Sequence, residues 1–439
     1  MRNQLIALIL ASVSLPVLAI NSGVDTPRRG DLVADGLVAL PAPAGQIERK
    51  PLSFSWALDP NASVGEQTPY TSESREFWTQ VEGIELSKGF AIDTSAPGAV
   101  IRISPIGKAA PVSPDRLDLL RDGKSIASAL AFSQRTTAAQ LQQAGMPIDS
   151  GAAVVQIDAA QGQGRFQLQM SAANGRYLVH VFEPASPYVL HASTDRANLL
   201  AGGEVEVRAM LGKGSTGLAG SQLAGLLVSP SGKSYDIVFK AGSNGMQRAM
   251  ARIPVDAGSE PGLWDVQVFA GASDGGGRIQ RDTRTAISVA QPTARLGSSY
   301  DFDAMNLGFR LPVQVGSPGR YELRGTLFAT GPDGVARPVS EAHSAAWFER
   351  GQRALTLTFE RAHLPAGYGA PFEVRQVQLN DQSRMGQLES RELAARFGSP
   401  APVVAQLPSP KPAVIAPNKP GVIVPTPGRG GARRFDSGE

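Results

Sequence analysis

One strand phrase occurs twice in this chain, and that repetition constrains the fold more than any other feature. Residues 261–270 read PGLWDVQVFA, and residues 174–184 read NGRYLVHVFEP, with Gly175 and Tyr177 in the places of Gly262 and Trp264. Gly262 can turn tightly because it has no Cβ to clash. After the turn, Trp264, Val266 and Val268 fall on one face of an extended chain, and Asp265 and Gln267 fall on the other. That alternation marks a half-buried antiparallel strand. In sandwich folds a strand of this form is central to the core and lies near the end of its domain. Two copies at this separation predict two domains of about a hundred residues each.

The chain opens MRNQLIALILASVSLPVLA: Arg2 is the charged start, Leu5 to Val17 is apolar, and Val17 and Ala19 are small residues at a cleavage site. This predicts a secretory signal peptide over residues 1–19, too short in its apolar run for a membrane anchor. No later stretch is long and apolar enough to span, so no membrane insertion is expected after signal removal. The chain has 439 residues and no cysteine. Disulfides, Cys-ligated zinc, iron–sulfur clusters and thiol nucleophiles are excluded. The exported domains must therefore stand on buried apolar surface, which domains of about a hundred residues can do. Roughly 420 residues after cleavage suggest three domains.

Net charge is +3. Lys411, Lys419, Arg429, Arg433 and Arg434 against Asp436 and Glu439 give that +3 in the C-terminal tail alone, five minus two. The body is close to neutral, which argues against a nucleic-acid platform.

In chain order, residues 20–50 are rich in Pro, Gly and short polar residues and read as an extended lead-in. A first domain is expected over 51–186, beginning at PLSFSWAL, where Leu52, Phe54 and Trp56 alternate. Asp122-Gly123 signals a hairpin turn. One short helix is predicted at 136–144, capped by Thr136 or Thr137 and ended by Gly145. The second domain is expected over 187–291, with GGEVEVRAML, a hairpin turning on Pro230-Ser231-Gly232, and the PGLWDVQVFA strand. A third is expected over 292–398. Within it SEAHSAAWFER (340–350) and QLESRELAARF (387–397) have helix-forming composition. They are read as strands, because strands surround them and neither carries a continuous apolar helical stripe. Residues 399–439 are too Pro-dense to offset the backbone entropy of packing and predict a disordered, basic, Pro-rich tail.

Several motifs suggest chemistry and lack its context. Gly212, Gly214 and Gly217 spell G-x-G-x-x-G, but no helix opens there to hold a pyrophosphate. Gly271 to Gly275 spell G-x-S-x-G, but more glycine and another strand follow where a nucleophile elbow needs a helix. His180, His191, His343 and His363 are scattered, with no metal-binding spacing and no triad context. His180 lies between Val179 and Val181, so it should face solvent or another domain. Asp301, Asp303 and Asn306 begin like a calcium loop whose Gly and terminal Glu are missing. Arg29-Gly30-Asp31 is read as chance, and the sequon at Asn61 carries no weight if the host is bacterial. No catalytic, cofactor-binding or metal residue is predicted, and no cofactor.

The segments LSKGFAIDTSAPGAVIRISP (86–105), NGRYLVHVFEPASPYVLHASTDRANLLAGGEVEVRA (174–209) and PGLWDVQVFA together resemble an exported gammaproteobacterial family of unknown function built from tandem Ig-like domains. The resemblance covers residues 50 to 398. The second domain alone is similar to the bacterial macroglobulin-type, Ig-like module. The resemblance implies a fold and brings no catalytic residue with it.

The resulting expectation is an all-β protein of three tandem Ig-like antiparallel β-sandwiches, monomeric, and periplasmic or secreted. Its expected role is that of a non-enzymatic binding or scaffold protein of the envelope or extracellular space, whose partner is a protein or a surface polysaccharide. The alternatives are an exported enzyme with its site in the first domain, or a passive spacer presenting the tail.

Overall fold

A computed structural model describes residues 20–64, 70–275 and 277–398. The expected signal peptide and Pro-rich tail lie outside the described residues. What is described is all-β, in six sheets that pair into three sandwiches. The chain divides into two compact units, one from residues 20–64 with 292–398 and one from residues 70–291.

In the unit 70–291 the first sandwich places Glu76–Glu82, Arg176–Phe182, Val100–Ile106, Ala153–Ile157 and Phe132–Thr137 side by side in that order. Its second sheet holds Phe90–Thr94, Gly164–Met170, Leu117–Arg121 and Lys124–Ser125. Tyr177, Val179 and Val181 are fully buried in its core with Ile101, Ile103, Phe166 and Leu168. The expected helix forms at Ala138–Gln143, with the Thr137 side chain accepting from the Gln140 N–H and Gly145 leaving at φ +79°.

The second sandwich repeats the scheme. Trp264, Val266 and Val268 enter its core, while Asp265 and Gln267 stay half exposed. Trp264–Asp274 pairs with Gly277–Ala290 on one side and Gln222–Val228 on the other. Not all of its pairing is antiparallel: Asn198–Leu200 lies parallel to Ser288–Ala290. A further strand comes from upstream of the first domain, since Thr71–Ser74 pairs with Tyr188–Thr194.

A buried ion pair joins these two sandwiches. Arg281, on the strand Gly277–Ala290, places Nη2 2.7 Å from Glu183 Oε2, and both side chains are almost wholly buried. Arg281 also donates to Ser95 Oγ, Ser186 Oγ and the carbonyls of Tyr188 and Gln280. Glu183 accepts from the backbone N–H groups of Ser95 and Ala96. Burial lowers the Arg281 pKa and Glu183 opposes that shift. Beside this pair, His180 points away from the core as its alternation predicts, stacking on Trp78 at 3.8 Å with Nε2 2.9 Å from Glu76 Oε2. The backbone N–H of Trp78 donates to Asp282 of the second sandwich.

The other unit gathers residues 20–64 with 292–398. Ile20–Gly23 pairs with Ser299–Asp303, and Leu52–Ala57 pairs with Ser340–Ala345. Between them Leu32 and Ser390 exchange hydrogen bonds through the Leu32 N–H, the Ser390 hydroxyl and both backbones, and Leu32 and Ala34 are buried. Alternation in LSFSWAL fixes which faces a strand has but not which strand it pairs with. The chain is nested: its first described segment completes the third sandwich, 71–74 the second, and only then does the first begin.

The two segments of helical composition are strands, within Ala336–Phe348 and Gly386–Phe397. In the first, Ser340, Ala342 and Ser344 are small residues buried on alternate positions, a core face that composition hides. In the second, register shifts against Gly369–Asp381 bury Leu388 and Glu389 in succession and break the period of two.

Candidate functional site

The strand Leu52–Ala57 is an edge strand of the third sandwich, in a sheet ordered Leu52–Ala57, Ala336–Phe348, Gly319–Thr330, Gly369–Asp381, Gly386–Phe397. Its large side chains all lie on one face, and that face is open: Leu52 is 53%, Phe54 45% and Trp56 39% exposed. Three large apolar side chains left in solvent on consecutive same-face positions run against the burial that drives folding.

Register places His343 directly opposite Phe54. The rings of Phe54, Trp56 and His343 are nearly parallel, within 25° of one another, with centroids 5.1 to 5.8 Å apart. Two carboxylates hold the imidazole: Glu322 Oε1 is 2.7 Å from Nδ1 and Glu341 Oε1 is 3.2 Å from Nε2. Each ring nitrogen of the imidazole thus meets one carboxylate oxygen.

The polar groups continue across the sheet. Arg324, opposite His343, donates to Gln378 Oε1 at 2.9 Å, and the Asn380 amide donates to Glu322 Oε2 at 3.3 Å. Two same-face positions along the strand from His343, Arg49 lies over the Trp347 ring at 4.2 Å. The face therefore sets apolar ring surface beside groups that donate, accept or do both. The two carboxylates engage opposite edges of one ring and do not converge on a common point.

The remaining candidates lie elsewhere. Gly212 and Gly217 pair across a strand turn at Gly214, and Gly271 to Asp274 run straight into a hairpin. His191 is 3.6 Å from Glu73. His363 does meet a serine, with Nδ1 3.0 Å from Ser340 Oγ and Nε2 3.8 Å from Glu360. Ser340 is fully buried, however, and its hydroxyl donates to the Trp56 carbonyl, so this trio pins the edge strand. Asp301 pairs with Arg310, and Asp303 accepts from Met305 and Asn306 within its own turn, which lowers its pKa. Asp31 is a structural acceptor for the N–H groups of Arg28 and Glu392. Among the described residues no three His, Asp or Glu gather to hold a metal. No helix among them is long and apolar enough to cross a membrane.

Sequence reasoning placed the alternating Leu52, Phe54 and Trp56 at the start of the first domain and did not single out this face. No local signal marked the face as open, since two serines on the other side favour the ring face as core.

Residues 43–183 match the family model described as the N-terminal domain of DUF4785, and residues 293–397 match its C-terminal domain, both of unknown function. The chain is similar to the crystal structure of a DUF4785 family protein from Legionella pneumophila subsp. pneumophila str. Philadelphia 1. The TM-score is 0.66 at 21% identity, over 83% of this chain and 99% of that one. At that identity the likeness speaks for the fold. None of the curated proteins matches the chain.

Proposed function

We propose that this chain, which belongs to the DUF4785 family, is a non-enzymatic exported binding protein of the cell envelope or extracellular space that holds a polysaccharide on the third sandwich. It acts as a monomer, without cofactor. The observation that carries the reading is the exposed ring cluster Phe54, Trp56 and His343, set beside Glu322, Glu341, Arg324, Gln378 and Asn380. A sugar ring has an apolar C–H face and a rim of hydroxyls that both donate and accept. It can lie against aromatic surface and hydrogen-bond to carboxylates, amides and guanidinium at once. An open sheet face suits a long polymer better than the closed pocket typical of small ligands. The N-terminal sequence supports export, and the sandwich modules serve as supports for such a face.

The test is retention of the mature protein on an insoluble envelope fraction from its host. Retention should survive protease treatment of the fraction and be lost after periodate, which cleaves vicinal diols. The opposite pattern, loss with protease and survival after periodate, means a protein partner and overturns the polysaccharide reading.

A further inference from the structure

A second site lies in the second sandwich, at the end of the strand that carries Trp264. The hairpin turn Ser229–Lys233 and the loop Asp256–Glu260 flank a shallow cleft of about 50 Å³, open to solvent, with Trp264 in its lining. The turn and strand approach closely because residue 262 is glycine: at φ +123° a Cβ there would meet Pro230 Cβ at 3.1 Å.

The Trp264 side chain is 4% exposed, yet no described residue accepts a hydrogen bond from its indole N–H. That N–H is also absent from the sealed, unpartnered polar atoms, which are Arg102 Nε, Ser104 Oγ and two nitrogens of Arg391. An indole donor that is neither bonded nor sealed is left for water or a ligand, and Trp264 lines this cleft. Tyr235 stacks beside it, centroids 6.1 Å apart, and is half exposed. The rim carries Lys233 on one side and Asp256 and Glu260 on the other, and none of the three forms an ion pair among the described residues. Charges that stabilise the fold are paired or hydrogen-bonded; these stand free around an aromatic floor with an unused donor.

We infer that this cleft binds a single neutral sugar residue, the end or a side branch of a glycan. A hydroxylated ring uses each group: its C–H face lies on Tyr235, the indole N–H and Lys233 donate to its oxygens, and Asp256 and Glu260 accept from its hydroxyls. A free cation is disfavoured by Lys233, and a free anion by the two carboxylates. The cleft is shallow, so a ring would rest on it by one face and not be enclosed. The ligand class rests on the polysaccharide reading above, whereas the site itself rests on Trp264.

Indole ¹H–¹⁵N spectra of the full mature protein test this. The peaks of Trp56 and Trp264 are assigned with Trp56→Phe and Trp264→Phe. The probes are methyl glucoside, methyl galactoside and N-acetylglucosamine, each titrated to 100 mM, a range suited to weak single-residue binding on the order of millimolar. The Trp264 peak should move saturably with at least one probe. In Asp256→Asn combined with Glu260→Gln, two exposed loop changes that leave the core intact, the affinity should fall roughly tenfold or more. A Trp264 peak that stays fixed with all three probes overturns the inference, as does a shift unaffected by the double variant. The two readings fail separately: Trp56 shifting alone with envelope oligosaccharide leaves the sheet face standing and removes the cleft.

Discussion

Phe54 and His343 lie almost parallel, at 5° with centroids 5.1 Å apart, although one sits near the start of the chain and the other near its end. The contact exists because the strand Leu52–Ala57 pairs with Ser340–Ala345. The N-terminal segment thus both completes the third sandwich and supplies two of the three rings of its open face.

That segment should be needed for the stability of the third sandwich. Leu32 is buried beside Ser390, so Leu32→Ala should destabilise it by about 2–3 kcal/mol. Hydrogen exchange of the strand Gly386–Phe397 in the full chain reads the effect directly. Unchanged protection there would mean the N-terminal segment is a passenger.

The Glu183–Arg281 pair fixes the first sandwich on the second. Arg281→Met leaves a buried, uncompensated carboxylate and should cost about 3–5 kcal/mol. Adding Glu183→Leu removes that charge but strands the N–H groups of Ser95 and Ala96, so the double variant should recover only part of the loss. The coupling in a double-mutant cycle should be on the order of 0.5–3 kcal/mol. A coupling of zero in urea unfolding would show that the two groups act independently.

Trp264→Ala removes a large core side chain and should cost about 3–5 kcal/mol. Asp265→Ala, on the half-exposed face, should stay within about 0.5 kcal/mol. Calorimetry checks the pair; a larger loss from Asp265→Ala contradicts the assigned faces.

Acid should weaken the first sandwich through Glu76. The hydrogen bond to His180 holds its carboxyl below the ordinary 4.5. A carboxyl depressed on folding contributes stability that is complete above its unfolded pKa and is lost as pH falls through the folded one. In His180→Phe the stacking on Trp78 is kept and this contribution goes. The stability difference between parent and variant should therefore shrink as pH drops from 6 to about 3. A difference that is flat across that range contradicts the linkage.

Much of the fold could be read from local pattern, because period-two alternation in PGLWDVQVFA and NGRYLVHVFEP reports face and burial directly. The helix at Ala138–Gln143 was legible in Thr137 and Gly145, whose roles are local. The family resemblance drawn from residues 86–105, 174–209 and 261–270 likewise holds. Strand partnership was not legible: nothing in LSFSWAL distinguishes the nearby sheet of residues 76–182 from Ser340–Ala345. The same gap hid the candidate site, since the Phe54, Trp56 and His343 cluster arises only from that pairing. The Trp264 strand was read as core, and it is; its free indole N–H depends on where the loop Asp256–Glu260 closes, a tertiary fact.

The polysaccharide-binding face is tested most directly by isothermal titration of the mature protein with oligosaccharide released from its host envelope. Phe54→Ala and Trp56→Ala remove side chains that are 45% and 39% exposed, so melting temperature should hold nearly constant while affinity falls at least about tenfold in each, about 1.4 kcal/mol. Equal affinity in parent and both variants, with heat of binding intact, would contradict the assignment of this face.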